Sequence, residues 1–267
     1  MDAIAKHAYM ARISEQVERY QEMVEHIKYV ASHPKEGQDH VVLTKDERSL
    51  LSIAYKNVVS GRRGSWRSVK SSEQKESAHP DSTVLPMIVA LREKIEKELT
   101  DICMEIIGLL KNYLIFDGKE NVEDQVFYLK MVGDYYRYLA EFQTGDALAQ
   151  SKQKADEAYQ EAMQRGQDAN LSPTIPVLLG LALNYSVFYY EILNNPDKAC
   201  ELAKRAFDSA VADLDSLQEN DYKDATLILQ LLRDNLTLWT TDVDQTRSEE
   251  HTSELQSLPN LVCRLLL

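Results

Sequence analysis

An all-α fold is predicted for this 267-residue chain by three observations. Gly (9) and Pro (7) are scarce and fall in clusters. Between the clusters, apolar residues recur at the 3.6-residue spacing of helices instead of the alternation of strands. The edges of the clusters carry helix-starting residues. In chain order, two short helices are expected over 3–16 and 19–32, where MDAIAKHAYMARISEQVERY spreads its charges at helical spacing. A loop over 33–43 contains Pro34 and Gly37. A long helix opens at Thr44, because Thr-Lys-Asp-Glu sets Glu47 three residues after the cap, the spacing of a capping box, and it runs to about Ser77. Further helices cover roughly 82–114, 121–142, 146–168, 173–193, 196–214 and 220–241, with starts at Ser172-Pro173 and Asn195-Pro196, where a capping side chain precedes a proline suited to the first turn. The short connections predict antiparallel neighbours. Ala199, Ala203, Ala206 and Ala210 sit at helical spacing in a stretch that suggests tetratricopeptide-like stacking of helical hairpins, without a clean second copy of that repeat.

Composition limits what such a fold can do. A 44% hydrophobic, 27% charged chain of this length builds one large or two small packed units and is expected to be soluble. The net charge of -13 argues against a sequence-independent grip on nucleic acid or anionic lipid, so any anion site must be a local basic island. Cys103, Cys200 and Cys263 are far apart and form no CxxC or Cys/His cluster, which indicates thiols in a reducing compartment. The longest apolar runs, such as Pro176 to Leu183, are too short for a membrane span, and the N-terminus lacks a signal-peptide pattern. A cytoplasmic location, with or without the nucleus, is expected. Arg247 to Ser257 (RSEEHTSELQS) looks like the translation of a short-read sequencing adapter, so 243–267 is taken as a disordered or artefactual tail outside the folded domain, 1–242.

No catalytic pattern emerges. GxSxG, HExxH, Walker and GxGxxG motifs are missing, and the six histidines lack metal-ligand spacing, so no catalytic residue, metal or cofactor is expected. The basic residues inside apolar helices say more. Lys56 and Arg63 stand seven apart in LLSIAYKNVVSGRRGSWR, two turns along one face, with Arg67 a further turn on. Lys130 and Arg137 repeat that spacing in VFYLKMVGDYYRYLAEF, with Tyr138 beside the arginine. Two such pairs suit a phosphorylated side chain, which brings about -1.5 to -2 charges and three acceptor oxygens that guanidinium groups meet in bidentate fashion. The structural alternative is that they pair with internal carboxylates such as Asp134 or Glu141. Farther on, Leu183, Asn184, Val187 and Glu191 share one stripe, and Leu227, Leu231, Asn235 and Trp239 follow at four-residue steps. An asparagine within an apolar stripe can hold the main chain of an extended peptide, though such stripes are also plain core.

Four segments together, LLSIAYKNVV with GRRGSWR, VFYLKMVGDYYRYLAE, LGLALNYSVFYYEIL with NPDKACELAKRAFDSAVADLD, and YKDATLILQLLRDNLTLW, resemble the 14-3-3 proteins over about residues 2–242. The resemblance implies nine antiparallel helices, a cup-shaped dimer and an amphipathic groove per subunit, built on helices at about 44–77, 121–142, 173–193 and 220–241. It implies a phosphate pocket of Lys56, Arg63, Arg137 and Tyr138 with Lys130 nearby. Peptide main-chain contacts fall to Asn184 and Asn235, an apolar wall to Leu183, Val187, Leu227, Ile228 and Leu231, and flanking contacts to Glu191 and Trp239. The partners implied are phosphorylated client proteins such as kinases, other enzymes and transcription regulators, together with a second copy or a sister isoform. Neither nucleic acid nor membrane insertion is implied.

The dimer seam implied by the resemblance uses helices at about 2–32 and parts of 44–114, with Ile13, Val17, Arg19, Glu22, Ser65, Val69, Leu91, Lys94 and Glu98. Ser68, Lys70 and Ser72 depart from the apolar or smaller residues that mostly stand there in the family, and Leu91 replaces a usual tyrosine, so a weaker dimer is expected. Ser65, in Arg62-Arg63-Gly64-Ser65, has the arrangement that basophilic kinases favour and is a candidate switch at the seam. Val132 stands where a lysine is common, and Gly61 and Gly64 loosen the third helix near Arg63. The competing reading is a tetratricopeptide-like scaffold that binds peptides without regard to phosphate.

Overall fold

The computed structural model describes residues 2–79, 81–116, 121–214 and 219–249. Nine α-helices and no strand are present among them, as the periodicity predicts. The chain divides into two compact units, residues 1–116 and 117–267.

The first unit contains α1 (Ala3–Gln16), α2 (Tyr20–Ser32), α3 (Lys45–Glu76) and α4 (Leu85–Leu109), the last closing in a π-helical turn, Leu110–Leu114. Asp2 caps α1 by accepting from the Ala5 amide. Both halves of the capping box at Thr44 are formed, the Glu47 amide donating to Thr44 Oγ1 and the Thr44 amide to Glu47 Oε2 at 2.8 Å. Such a cap contributes about 1 kcal/mol. The α1–α2 turn is made by Glu18 at φ 57°, where Arg19 N reaches Ser14 O and Glu18 N reaches Glu15 O, a Schellman stop built on a residue other than glycine. Met23, Ile27, Leu51, Leu99, Ile106 and Leu110 fill the core between α2, α3 and α4. Buried Tyr55 donates from its hydroxyl to Glu105, which also binds Lys28. Helix α3 continues through Gly61 and Gly64 without a break.

The second unit contains α5 (Val122–Ala140), α6 (Gly145–Asp168), α7 (Pro176–Val187) with a π-helical turn Phe188–Ile192, α8 (Pro196–Asp213) and α9 (Glu219–Glu249). Helix α5 packs along α6, and α7 packs against α8 and α9. Small residues permit these approaches: Ala155, Ala158 and Ala162 on α6, and Ala199, Ala203 and Ala210 on α8, are all buried. Helix α6 ends in a second Schellman stop, with Asn170 at φ 52° and Leu171 N bonded to Gly166 O. Asparagine tolerates the left-handed conformation, so a chain poor in glycine still ends its helices cleanly.

Three boundaries differ from expectation. Helix α7 starts at Pro176 and not near 173, since Ser172 instead closes a turn in which its carbonyl accepts from Ile175 N. Helix α4 starts at Leu85, with Ser82 Oγ accepting from the Leu85 amide. Helix α9 runs past 241 to Glu249 because no glycine or proline interrupts that stretch; the remainder of the expected tail, from 250 on, lies outside the described residues. No helix among the described residues is long and apolar enough to cross a membrane.

Candidate functional site

In the second unit, the Lys130 and Arg137 predicted from spacing share one carboxylate. Asp134 lies between them on α5; its Oδ2 accepts from Lys130 Nζ at 2.8 Å, and its Oδ1 stands 3.6 Å from Arg137 Nη2. Oδ1 also accepts from Tyr159 Oη of α6 at 2.7 Å and from Asn184 Nδ2 of α7 at 2.8 Å. Arg137 Nε donates to Tyr159 Oη at 3.3 Å, and the guanidinium lies 4.7 Å from the centre of the Tyr138 ring. Arg137 is only 3% exposed. Pairing with Asp134, expected as the structural alternative, is therefore present. Yet two cations share one anion, so the triad keeps an excess of positive charge.

Burial and the neighbouring charges together set the protonation states. Burial pushes the Asp134 carboxyl up, but the charges of Lys130 and Arg137, with hydrogen bonds from Lys130 and Tyr159, outweigh it and hold the group below its ordinary value of 3.8. Burial and the Asp134 charge together drive the Tyr159 phenol well upward, so it stays protonated and donates. Burial opposes charge on Arg137 too, but Tyr159, Tyr138, Asp134 and Glu141 hold the guanidinium protonated.

A carboxylate held lower in the folded than in the unfolded chain adds stability that is complete above the unfolded value and is lost as pH falls through the folded one. Urea midpoints are therefore expected to decline below about pH 4. Asp134→Asn should make that decline shallower while lowering the midpoint at pH 7. An unchanged acid limb in Asp134→Asn would show that another carboxylate carries it.

Two glycines shape this cluster. At Gly133 an added Cβ would lie 2.5 Å from Tyr159 Cε1, so its absence lets α5 approach the tyrosine that holds Arg137. At Gly180 of α7, Lys130 Cε lies 3.5 Å from where a Cβ would stand, and the lysine stem rests along that helix. Tyr159 and Gly133 were missed in the sequence, because no spacing rule connects α5 to a tyrosine 25 residues away on another helix.

The remaining groove candidates of this unit are graded in exposure. Along α9, Leu227 is 63% exposed, Ile228 and Leu231 are half-buried, and Asn235 and Trp239 are buried. Trp239 stacks on Tyr190 with ring centres 4.8 Å apart, and its Nε1 is a buried donor with no hydrogen-bond acceptor among the described residues. On α7, Leu183 and Val187 are buried, Asn184 is half-buried and tied to Asp134, and Glu191 in the following turn is exposed. Val132, where a lysine was the family expectation, is buried in α5.

In the first unit, Lys56 and Arg63 are both half-buried on α3. Of the seam candidates, Val17 (58%) and Leu91 (49%) are exposed, as are Arg19, Ser65 and Lys94, while Ile13, Glu22, Val69 and Glu98 are half-buried. Ser65 is exposed, and its Oγ donates to Gly61 O at 3.1 Å. Of the charged seam candidates, Arg19 pairs with Glu22, and Glu98 with Arg62 at 3.2 Å, within the chain. Among the described residues, no group of three or more His, Cys, Asp or Glu is placed to hold a metal.

Comparison with known proteins agrees with the motifs. The 14-3-3 protein family matches residues 10–240. A 14-3-3 protein homolog of Trichoderma harzianum is 54% identical over 238 residues, covering 89% of this chain and 88% of its own. The checkpoint signal transducer rad24 of Schizosaccharomyces pombe is 53% identical over 236 residues, 88% of this chain and 84% of that protein. The 14-3-3-like protein B of Hordeum vulgare is 52% identical over 245 residues, 92% of this chain and 91% of its own.

Proposed function

The chain belongs to the 14-3-3 family, and on that premise we propose that it is a non-enzymatic adaptor that captures phosphoserine- or phosphothreonine-containing segments of client proteins in signalling. The observation that carries this reading is the cationic cluster on α5. Arg137 is locked by Tyr159 and Asp134, so its guanidinium is oriented before a ligand arrives and loses little freedom on binding. A phosphate meeting Arg137 and Lys130 gains charge-assisted hydrogen bonds of about 1.5–3 kcal/mol each, whereas an unphosphorylated serine gains none of them. Asn184 and Asn235 supply amides, and the indole of Trp239 an unmet donor, for the main chain of an extended peptide. The rad24 relative is a checkpoint signal transducer, which supports a signalling setting.

Fluorescence anisotropy with an Arg-x-x-pSer-x-Pro peptide and its unphosphorylated twin tests the proposal. The expected result is binding of the phosphopeptide alone, weakened in Lys130→Ala. Equal binding of both peptides would instead support the phosphate-indifferent helical scaffold.

We further propose that the chain works as a dimer, homodimeric or with a sister isoform, in the cytoplasm with or without the nucleus, and that its seam is weak for the family. Val17, Met87 and Leu91 leave apolar surface exposed on the first unit, while Arg19 and Glu98 are already paired within the chain. Exposed ion pairs contribute about 0–1 kcal/mol, so little of the seam can rest on them. Sedimentation equilibrium should show dissociation at low micromolar concentration; a dimer that persists at nanomolar concentration contradicts the weak seam.

A further inference from the structure

Beside the groove candidates, the first unit holds a cluster that phosphopeptide capture does not use. His7 of α1 and His26 of α2 face each other with their Nδ1 atoms 3.1 Å apart. The rings are tilted by 60° with centres 5.2 Å apart. Tyr29 stacks flat on His7 at 4.0 Å and, on its other side, on His33 at 4.0 Å. His33 is otherwise engaged, its Nδ1 lying 2.8 Å from Tyr29 O and 3.1 Å from Ser32 Oγ. The His7 and His26 rings are half-buried, which leaves room for water on one side.

We propose that His7 and His26 form a two-imidazole site for a borderline divalent cation of the zinc class, with water completing the coordination. Zinc binds imidazole nitrogen at about 2.0–2.1 Å, and two such bonds meeting at about 90–110° place their nitrogens about 2.9–3.4 Å apart. The observed separation falls inside that range. Imidazole nitrogen is also the ligand type that this class of cation prefers over water or carboxylate. Without metal, one Nδ1 carries a proton and donates it to the other. Metal bound at both Nδ1 atoms requires that proton to move, through solvent, to Nε2 of the ring that carried it, so both rings remain neutral and no net proton is released. Tyr29 fixes the His7 ring by stacking, so the ligand needs little ordering. Cys200 competes poorly, because burial and Asp197 raise its thiol pKa and keep it protonated.

The test is a titration of the full chain with Zn²⁺, followed by calorimetry and by long-range NMR spectra of the histidine rings. One saturable site is expected, with the His7 and His26 resonances shifted. Binding should be lost in His26→Gln and separately in His7→Gln, and retained in the distant His79→Gln. Circular dichroism establishes that each variant is folded, and His7→Gln, near the chain start on α1, keeps the test valid if His26→Gln fails to fold. Wild-type protein without saturable binding, or binding that survives in a folded variant of either residue, would overturn the site. Neither outcome touches the phosphopeptide reading, which uses other residues and another probe.

Discussion

Arg137→Ala is expected to reduce phosphopeptide affinity by about 100-fold or more, because two charge-assisted hydrogen bonds of at least about 1.5 kcal/mol each are lost and each 1.4 kcal/mol is a factor of ten. The same change should also lower stability. Arg137 is almost wholly buried beside Asp134, and removing one partner of a buried pair costs about 3–5 kcal/mol when the other charge is abandoned. Asp134 is not abandoned, since Lys130, Tyr159 and Asn184 still bond to it, which places the cost near the lower end of that range. Arg137→Lys separates the two effects. It retains the charge but not the planar fork, so it should recover part of the stability and little of the affinity. Anisotropy titrations well below each variant's thermal midpoint read affinity alone. Folded Arg137→Ala that binds like the wild type would remove Arg137 from the phosphate site.

Gly133→Ala is expected to destabilise the second unit although alanine is the better helix former. The new methyl would lie 2.5, 2.6 and 2.8 Å from three ring atoms of Tyr159. That ring cannot swing aside: it is fully buried, stacks on Tyr185 at 5.1 Å, lies 5.7 Å from Phe188, and is anchored by its hydroxyl to Asp134. Helix α5 must then withdraw from α6, an overpacking cost of about 1–3 kcal/mol against a propensity gain of up to about 1 kcal/mol. Moving Tyr159 also releases Arg137, so phosphopeptide affinity should fall with stability. Gly61→Ala supplies the contrast, since nothing lies within 4 Å of its added Cβ and α3 is regular there; it should stabilise by up to about 1 kcal/mol. Urea denaturation of the two variants should shift the midpoint in opposite directions. A Gly133→Ala midpoint at or above wild type would show that α5 and α6 have more freedom than the contact implies.

The helices were legible because their signals are local. Thr44 and Glu47 satisfy each other three residues apart, and the periodic apolar positions name the faces that became the cores of both units. The starts of α4 and α7 were less so. Ser172-Pro173 read as the opening of α7, and the turn that bonds Ile175 N to Ser172 O moves that opening to Pro176. For the candidate site, the seven-residue spacing of Lys130 and Arg137, with Asp134 between them, places all three on neighbouring faces of one helix, and the structure joins them. The stripes that carry Asn184 and Asn235 were legible in the sequence and the resemblance assigned them to a groove, but neither gave how deeply each residue is buried.

The amino-acid order by itself thus determined an all-α chain, its family and the cations of α5, since each rests on residues within a few turns of one another or on motif strings. Tertiary structure alone decided which partners those cations have. Tyr159 and Asn184 reach Asp134 from two other helices, Gly133 matters only because a ring from α6 presses on it, and His7 meets His26 only because Glu18 turns α1 back onto α2. Helical periodicity specifies which face a side chain occupies, but not which residue of another helix it meets; that register is set by packing across the interface.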